Sequence, residues 1–568
     1  MTLPLGVVLR CFFNQSSGIV VGISKIRDRY LSGMSGITLS WVLDGSTREE
    51  RGKMVHLLLL LLLLLHVLDG ATTRTPTPIR RIGIVGSGPG GLSLAAALQR
   101  QQSNIVDEIT IFEKRGSHLQ AELGGGVQLS GGAVVLSKLG GLERLQSVAQ
   151  PVQNILSRNS RGDVLLDINV SDLLKARAPS LIATDGTPVF FSIMRDALQQ
   201  LLWELAQPTA VGSKTKLTVL SDRQVVATEE LPSGGVVVVC SDGQRHEFDL
   251  VVGADGAKSV VRDAVLKSCS SLDISAHTTT ETSAASLRDT GIEIIYGVTC
   301  EDDDFSFRPG GKGCFHQWFG DSAYALSASY GSRGGHVQHM VGLVLRSSQS
   351  SESSESSDAL TGTTENIDWE STATIAATAA KQFKTVVSRQ EVQALLVSAG
   401  LSVPSTGLSD MVNACQRFIR LKVKDRSAPL LRWSSPRGGL VVLGDAAHPM
   451  APFLGQGANQ AIQDSFVLAR TIERVNLALS NRGQGGPGWM RTLSALQINP
   501  MPLALLVEYQ RPRFLSTTLL SLKSNFLGQV ETLGGPIGQF SRDSFFRLAA
   551  ALGVAQLVLL SGAVPSLD

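Results

Sequence analysis

Three times along this chain a short apolar run ends beside a glycine, and each time a helical pattern follows. Ile82-Gly83-Ile84-Val85 reads as a short buried strand, and Leu92, Ala95, Ala96 and Leu98 give residues 92–102 the apolar face of a helix. Residues 248–253 form a second such strand, with a helix starting at residues 259–262. Residues 440–443 form the third, and its helix runs from Ala458 onward. Another strand, residues 107–115, follows the first helix. Residues 216–230 and 234–250 read as β-hairpins, and residues 291–346 contain further strand-like segments. Strands interleaved with helices predict an α/β fold with a parallel sheet.

Other stretches break this pattern. Residues 1–53 show no sustained periodicity and no motif. Nine consecutive leucines, Leu57 to Leu65, then lie in an apolar span of about 15 residues, short of the ~20 that a membrane-crossing helix needs. Arg51 and Lys53 before it, and Gly70 and Ala71 after it, suit a secretory or organelle-targeting signal near residues 54–71, with a short membrane anchor as the alternative. Residues 1–78 are therefore read as an extension ending in a linker. Residues 347–366 are a low-complexity insert, 269–286 reads as a similar surface insertion, and 480–488 reads as a loop between helices. Residues 545–564 are a mostly apolar run with one arginine, suited to packing on the body or to peripheral membrane contact.

The length of 568 residues exceeds one ordinary core, and 43% hydrophobic with 18% charged residues is a globular composition. A formal net charge of +2 gives no argument for nucleic acid or an acidic polymer as a partner, and no nucleic acid is expected. The six cysteines show no C-x-x-C spacing, and His336 and His339 lack a third ligand, so no metal site is expected. His316, Trp318, Phe319 and Tyr324 are candidates either for a pocket wall or for sheet core.

The glycines carry the chemistry. Gly86, Gly88 and Gly91 spell G-x-G-x-x-G between a strand and a helix. The first allows the turn, the second lets a pyrophosphate approach, and the third lets the helix pack close. The helix N-terminus offers unpaired N–H groups to phosphate. Glu113 follows Gly91 by 22 residues at the end of the next strand, where a carboxylate accepts ribose hydroxyls. An acid there fits FAD or NAD better than NADP. Asp255, in Gly253-Ala254-Asp255-Gly256, and Asp445, in Gly444-Asp445, end the two other strands. In a parallel sheet these three ends share the edge where ligands bind.

At this point the chain resembles a known family, the single-component FAD-dependent aromatic hydroxylases, or group A flavoprotein monooxygenases. These include p-hydroxybenzoate and salicylate hydroxylases, kynurenine monooxygenase and zeaxanthin epoxidase. GIVGSGPGGLSLAAAL is similar to the family's first motif, VVGADGAKSVVR to its DG motif, and VVLGDAAHPMAPFLGQGANQAIQDSFVLAR to its GD motif. The resemblance spans residues 79–527. It departs from the family at Ser130-Gly131-Gly132-Ala133, where a Pro-Asn pair is usual, leaving a helix start less well capped.

The resemblance implies a three-layer Rossmann-like FAD-binding domain interrupted by an antiparallel β-rich substrate domain, with C-terminal helices. The FAD-binding domain would span residues 79–470, discontinuously (79–185, 186–270, 430–470). The substrate sheet would occupy about 287–429, and 471–568 would be helical. Glu113 would bind the adenosine ribose with Lys114 near the adenine, and Arg195 would reach the FAD. Asp255 would serve FAD placement, and Asp445 the ribityl chain. Pro452, Gly455, Gln456 and Gly457 would lie beside the flavin ring. Pro452 and His448 are the candidates for a catalytic part.

The implied activity uses tightly bound, non-covalent FAD, NAD(P)H as transient co-substrate and O2. A flavin C4a-hydroperoxide would hydroxylate or epoxidise an apolar or aromatic small molecule. Two alternatives stay open: an FAD-dependent reductase or dehydrogenase on the same fold, and a non-catalytic flavin-binding protein.

Overall fold

The computed structural model describes residues 2–3, 7–14, 18–25, 76–101, 103–116, 125–208, 215–270, 287–299, 313–333, 336–347, 384–426, 428–480 and 487–567. The signal-like run at 54–71, residues 271–286 and nearly all of the low-complexity insert lie outside them. The chain divides into two units, residues 1–70 and 71–568. In the first, Thr2–Leu3, Val7–Asn14 and Gly18–Lys25 pair as an antiparallel sheet. The sequence, without sustained periodicity over residues 1–53, predicts no element there.

The second unit is built around a five-stranded, all-parallel sheet. Its strands are β1 (Arg81–Val85), β2 (Glu108–Phe112), β3 (Lys216–Leu220), β4 (Leu250–Gly253) and β5 (Leu440–Val442), in the order β3-β2-β1-β4-β5. Apart from the half-exposed edge strand β3, they are almost continuously apolar and buried, as a sheet covered on both faces requires. Helix α1 (Pro89–Gln99) follows β1, with Pro89 in its first turn, where no N–H is needed. In chain order come α2 (Gly131–Lys138), α3 (Arg195–Ala206), α4 (Val260–Ser270) and α5 (Gly457–Leu479). Ser465 of α5 donates to the Gly90 carbonyl at 2.7 Å, and a Cβ on Gly90 would meet Leu443 at 2.5 Å. Small residues thus let α5 and α1 close over the sheet edge.

One expected hairpin is corrected. Residues 216–220 and 225–230 do not pair with each other. β3 joins the parallel sheet beside β2, whereas Val225–Glu230 pairs with Val236–Cys240, which in turn pairs with Arg245–Phe248. The hairpin within 234–250 forms as read.

A second, eight-stranded sheet stands against this body. Its order is Lys384–Val387, Cys415–Arg426, Leu287–Thr299, His336–Arg346, Ala323–Arg333, Cys314–Phe319, Asn154–Asn159 and Val164–Asn169. All neighbours are antiparallel except Cys314–Phe319 with Asn154–Asn159. The last two strands lie upstream of about 287–429, the stretch expected to supply this sheet. One face, with Trp318, Ala325, Leu343 and Phe418, packs under the helices Arg389–Ser398 and Leu408–Ala414. The other face, with Phe319, Tyr324 and Val344, meets Ala451, and with Tyr296, Ala328 and Met340 meets Met194. Ala451 lies on the loop after β5, and Met194 directly precedes Arg195. This inner face therefore looks onto the loops at the parallel sheet's edge.

The C-terminal run folds as α6 (Arg511–Glu531), α7 (Gly535–Ala551) and α8 (Val554–Ala563). Among the described residues no single helix is long and apolar enough to cross a membrane; α7 and α8 pass that test only as a pair bent by 75°. Their far end returns to the body. Ser130 Oγ donates to the Gly562 carbonyl at 3.1 Å, and Arg513 donates to the Ser566 carbonyl at 3.0 Å.

Candidate active site

Register places the site. Val85 is level with Phe112 in β2 and with Gly253 in β4, and Gly253 is level with Val442 in β5. Four strands thus end in one row: Gly86 and Glu113 come next in their strands, while Asp255 follows Gly253 after Ala254, and Asp445 follows Val442 after Leu443 and Gly444. Backbone bonds close the row: Gly86 N to Phe112 O at 2.8 Å, Ala254 N to Val85 O at 2.8 Å, Leu443 N to Gly253 O at 3.0 Å.

The glycine turn is sterically determined. Gly86 has φ +103°, and a Cβ there would lie 2.4 Å from the Ala254 carbonyl oxygen. A Cβ on Gly91 would lie 2.0 Å from the Gly86 carbonyl oxygen. Gly88 is different: nothing lies within 4 Å of its Cβ position. The tight glycines hold the turn, and the open one faces a cradle before the α1 N-terminus.

Glu113 is 4% exposed. Its carboxylate accepts from Ser87 Oγ at 2.6 Å and from Arg115 Nε at 2.8 Å. Burial alone would raise its carboxyl, but hydrogen bonds from Arg115 and Ser87 and the Arg115 charge bring it down to about 2. It is a fixed anion pointing at the turn. Lys114 is exposed; the cation on Glu113 is Arg115, which the sequence analysis did not single out.

Asp255 Oδ2 accepts from Val260 N at 2.8 Å, capping α4, while its buried Oδ1 has no partner among the described residues. Burial pushes this carboxyl above its usual range, against the pull of Ser259 and nearby backbone N–H groups. Asp445 opens to the cleft but is ringed by protein, which raises its carboxyl, opposed by the charges of His448 and Arg195. The structure thus brings Arg195, at the start of α3, to the same place as Asp445.

The loop from Asp445 to α5 is shaped by turns. Pro452 is exposed and starts the short 3-10 turn Pro452–Leu454, which Gly455 ends at φ +62°. Gln456 is buried, and Gly457 opens α5. His448 Nε2 lies 2.6 Å from Asp464 Oδ2, and Arg513 Nε donates to Asp464 Oδ1 at 2.7 Å. Burial would raise Asp464, but His448 and Arg513 bring it down to about 2. His448 is therefore tied to a buried ion cluster that pins the loop, an arrangement suited to holding rather than to proton exchange. Sequence reasoning missed Asp464 and Arg513, whose partners lie 16 and 49 residues away from Asp464. The Ser130 departure has a structural answer as well. Asn459 Oδ1 accepts from Ser130 N at 2.8 Å and Gly132 N at 3.0 Å, capping α2 from α5.

Of the four pocket candidates, His316 and Trp318 are core, on or near the outer face of the sheet, and Phe319 and Tyr324 pack on its inner face with Phe546. All are at most 3% exposed. The adjacent row on this inner face is Tyr296, Gly342, Leu326 and Gln317, on four adjacent strands.

These features fit a flavin dinucleotide. An open glycine faces a helix N-terminus, and a buried acid stands at the second strand end. Asp255 keeps an unpartnered oxygen, and Asp445 has no hydrogen-bond donor among the described residues. In the midst of a buried core, Gly86, Gly88, Asp255, Gly455 and Gly457 are half-exposed and Arg195 and Asp445 exposed.

Comparison with known proteins agrees. The family model described as FAD binding domain matches residues 80–385 and 404–495. The chain is 26% identical over 403 residues to 3-amino-4-hydroxybenzoate 2-monooxygenase PtnB3 of Streptomyces platensis, covering 70% of this chain and 80% of that protein. It is 26% identical over 404 residues to the chloroplastic zeaxanthin epoxidase of Prunus armeniaca, covering 69% and 49%. Among solved structures, Klebsiella pneumoniae HpxO complexed with FAD and uric acid superposes with a TM-score of 0.58 at 17% identity, covering 86% of this chain and 98% of that one. A salicylate hydroxylase substrate complex gives 0.54 at 16% identity, covering 86% and 98%.

Proposed function

This chain belongs to the FAD binding domain family and is an FAD-dependent monooxygenase, an oxidoreductase; we propose that it takes electrons from NAD(P)H and transfers one oxygen atom of O2 to an apolar or aromatic small molecule. The observation that carries this reading is the level row of strand ends bearing Gly86, Glu113, Asp255 and Asp445.

FAD supplies the redox and oxygen-activating chemistry when bound. The chain's own residues do the rest. Gly86 and Gly88 with the α1 N-terminus hold the pyrophosphate. Glu113, kept ionised by Arg115 and Ser87, accepts the adenosine ribose hydroxyls. Asp445 accepts from the ribityl chain, with Arg195 balancing its charge. Asp255 Oδ1 takes a hydroxyl or water at the same edge. Pro452, Gly455, Gln456 and Gly457 bring a stiff backbone ribbon and the α5 N-terminus close to the ring, where a positive helix end favours negative charge. The inner sheet row, with Tyr296, Gly342 and Leu326, covers the substrate and keeps water out. No residue has to act as a nucleophile.

The test is oxygen incorporation. With a panel of hydroxylated aromatic acids and amines and isotopically labelled O2, a product bearing one labelled oxygen is expected for at least one compound. Reduction of a substrate double bond with no label taken up would favour the dehydrogenase alternative instead.

A further inference from the structure

Beside the loop that carries Asp445, along Ala447, His448 and Pro449, lies a cavity of about 80 Å3 that the flavin reading does not use. Its walls include Arg288, Arg426, Trp433, His448, Phe514 and Asn525. Arg426 ends the strand Cys415–Arg426 and is 7% exposed. None of its three guanidinium nitrogens has a hydrogen-bond partner among the described residues. His448 Nδ1 and Asn525 Oδ1, in the same wall, are also buried without partners.

The charges around Arg426 do not balance. Asp425 is engaged by Arg288 in a two-pronged pair at 2.7 and 3.0 Å and by Asn525 Nδ2 at 2.6 Å. Asp263 is paired with Arg262 at 3.0 Å. Burial and the Arg262 charge push the Arg426 guanidinium down to about 10, with Asp263 opposing. A buried cation without an acceptor is costly unless something else supplies one.

The missing acceptor has definite chemistry. A guanidinium with all its N–H groups free and a second arginine at the rim match the several oxygens of a phosphoryl group. The volume suits one such group. It is far below the roughly 300–1,000 Å3 of a site that encloses a whole drug-sized ligand. The wall is continuous with the site, because Ala447, His448 and Pro449 line it and Asp445 is two residues before Ala447. A nucleotide anchored here by one terminal phosphate would have its remainder outside the cavity, free to extend along the loop.

We propose that this cavity is a second phosphoryl site, centred on Arg426, which takes the 2′-phosphate of the nicotinamide cofactor and so makes NADPH the preferred reductant. It rests on the NAD(P)H-fed reading above. The pyrophosphate, shared by NADH and NADPH, stays outside it.

Two measurements on the FAD-loaded full chain test this. Calorimetry with inorganic phosphate and with adenosine 2′-monophosphate reads the site without turnover. Both should bind the unaltered protein, with affinity at least about tenfold lower in Arg426→Gln and partly restored in Arg426→Lys. Removing an unpartnered charge leaves no broken bond behind, so Arg426→Gln should fold and keep its flavin. Anaerobic rapid-mixing reduction should then half-saturate at lower NADPH than NADH, and Arg426→Gln should raise the NADPH value about tenfold while leaving NADH unchanged. Failure of phosphate and 2′-phosphate to bind would overturn the proposal. Arg426-dependent phosphate binding with equal responses to the two nucleotides would overturn the nucleotide assignment in favour of free phosphate. Reduction by neither nucleotide, with phosphate binding intact, would strike the NAD(P)H reading and leave the phosphoryl site standing.

Discussion

At the scale of single residues, the three glycines of the turn separate cleanly. A methyl group at Gly91 collides with backbone at 2.0 Å, and no rotamer change can relieve it. Gly91→Ala should lose flavin and cost about 1–3 kcal/mol of stability, as overpacking does, read by thermal melting and the visible spectrum. Gly88→Ala meets nothing in the protein, so it should melt like the parent while binding FAD more weakly, because the methyl enters the cradle.

Asp464 makes a pH prediction. Its carboxyl is held near 2 when folded, below an unfolded value of about 3.9. The stabilisation is therefore present above the unfolded value and is lost as pH falls through the folded one. Acid unfolding of the parent should steepen between about pH 4 and 2. Asp464→Asn should flatten that limb in a denaturation series, and an unchanged limb would contradict the assignment. The glycines and acids were legible in the sequence because their chemistry is local. Ser87, Arg115, Asn459 and Asp464 were not, because their roles depend on partners that only the fold brings near.

At the scale of elements, strands and helices that alternate on a short period are legible, and the hairpin within 234–250 forms as read, while the pairing expected within 216–230 does not. Residues 216–230 carry two strands with a polar turn, which is what a hairpin looks like. What sends β3 to β2 is the register of Leu220 with Phe112 and the bond from Glu113 N to Leu220 O at 2.9 Å, neither visible from alternation. The cap on α2 is another case. Ser130 makes no side-chain cap bond, and Asn459 substitutes for it from another helix. Asn459→Ala should cost about 1–2 kcal/mol in denaturant unfolding, since two buried N–H groups lose their acceptor. A loss no larger than that of an exposed α5 substitution would contradict it. The stretch Leu505–Gln510 is a wide, π-type turn where Tyr509 donates to the Val442 carbonyl at 2.9 Å. It ties the C-terminal helices to β5, and no sequence periodicity announces it.

At the scale of the whole molecule, two sheets of the unit 71–568 meet over one edge. The parallel sheet delivers glycines and acids in a row, and the inner face of the eight-stranded sheet closes over them. The first was readable because three motifs repeat the strand, glycine and helix order. The second was readable only in outline, since its strands come from residues as far apart as 154 and 426. The most direct test is the visible spectrum of the purified full chain under anaerobic conditions, before and after NADPH, followed by admission of O2. The account predicts bound oxidised FAD that bleaches with NADPH and is restored by O2. Folded protein that carries no flavin, and takes none up when FAD is added, would contradict it.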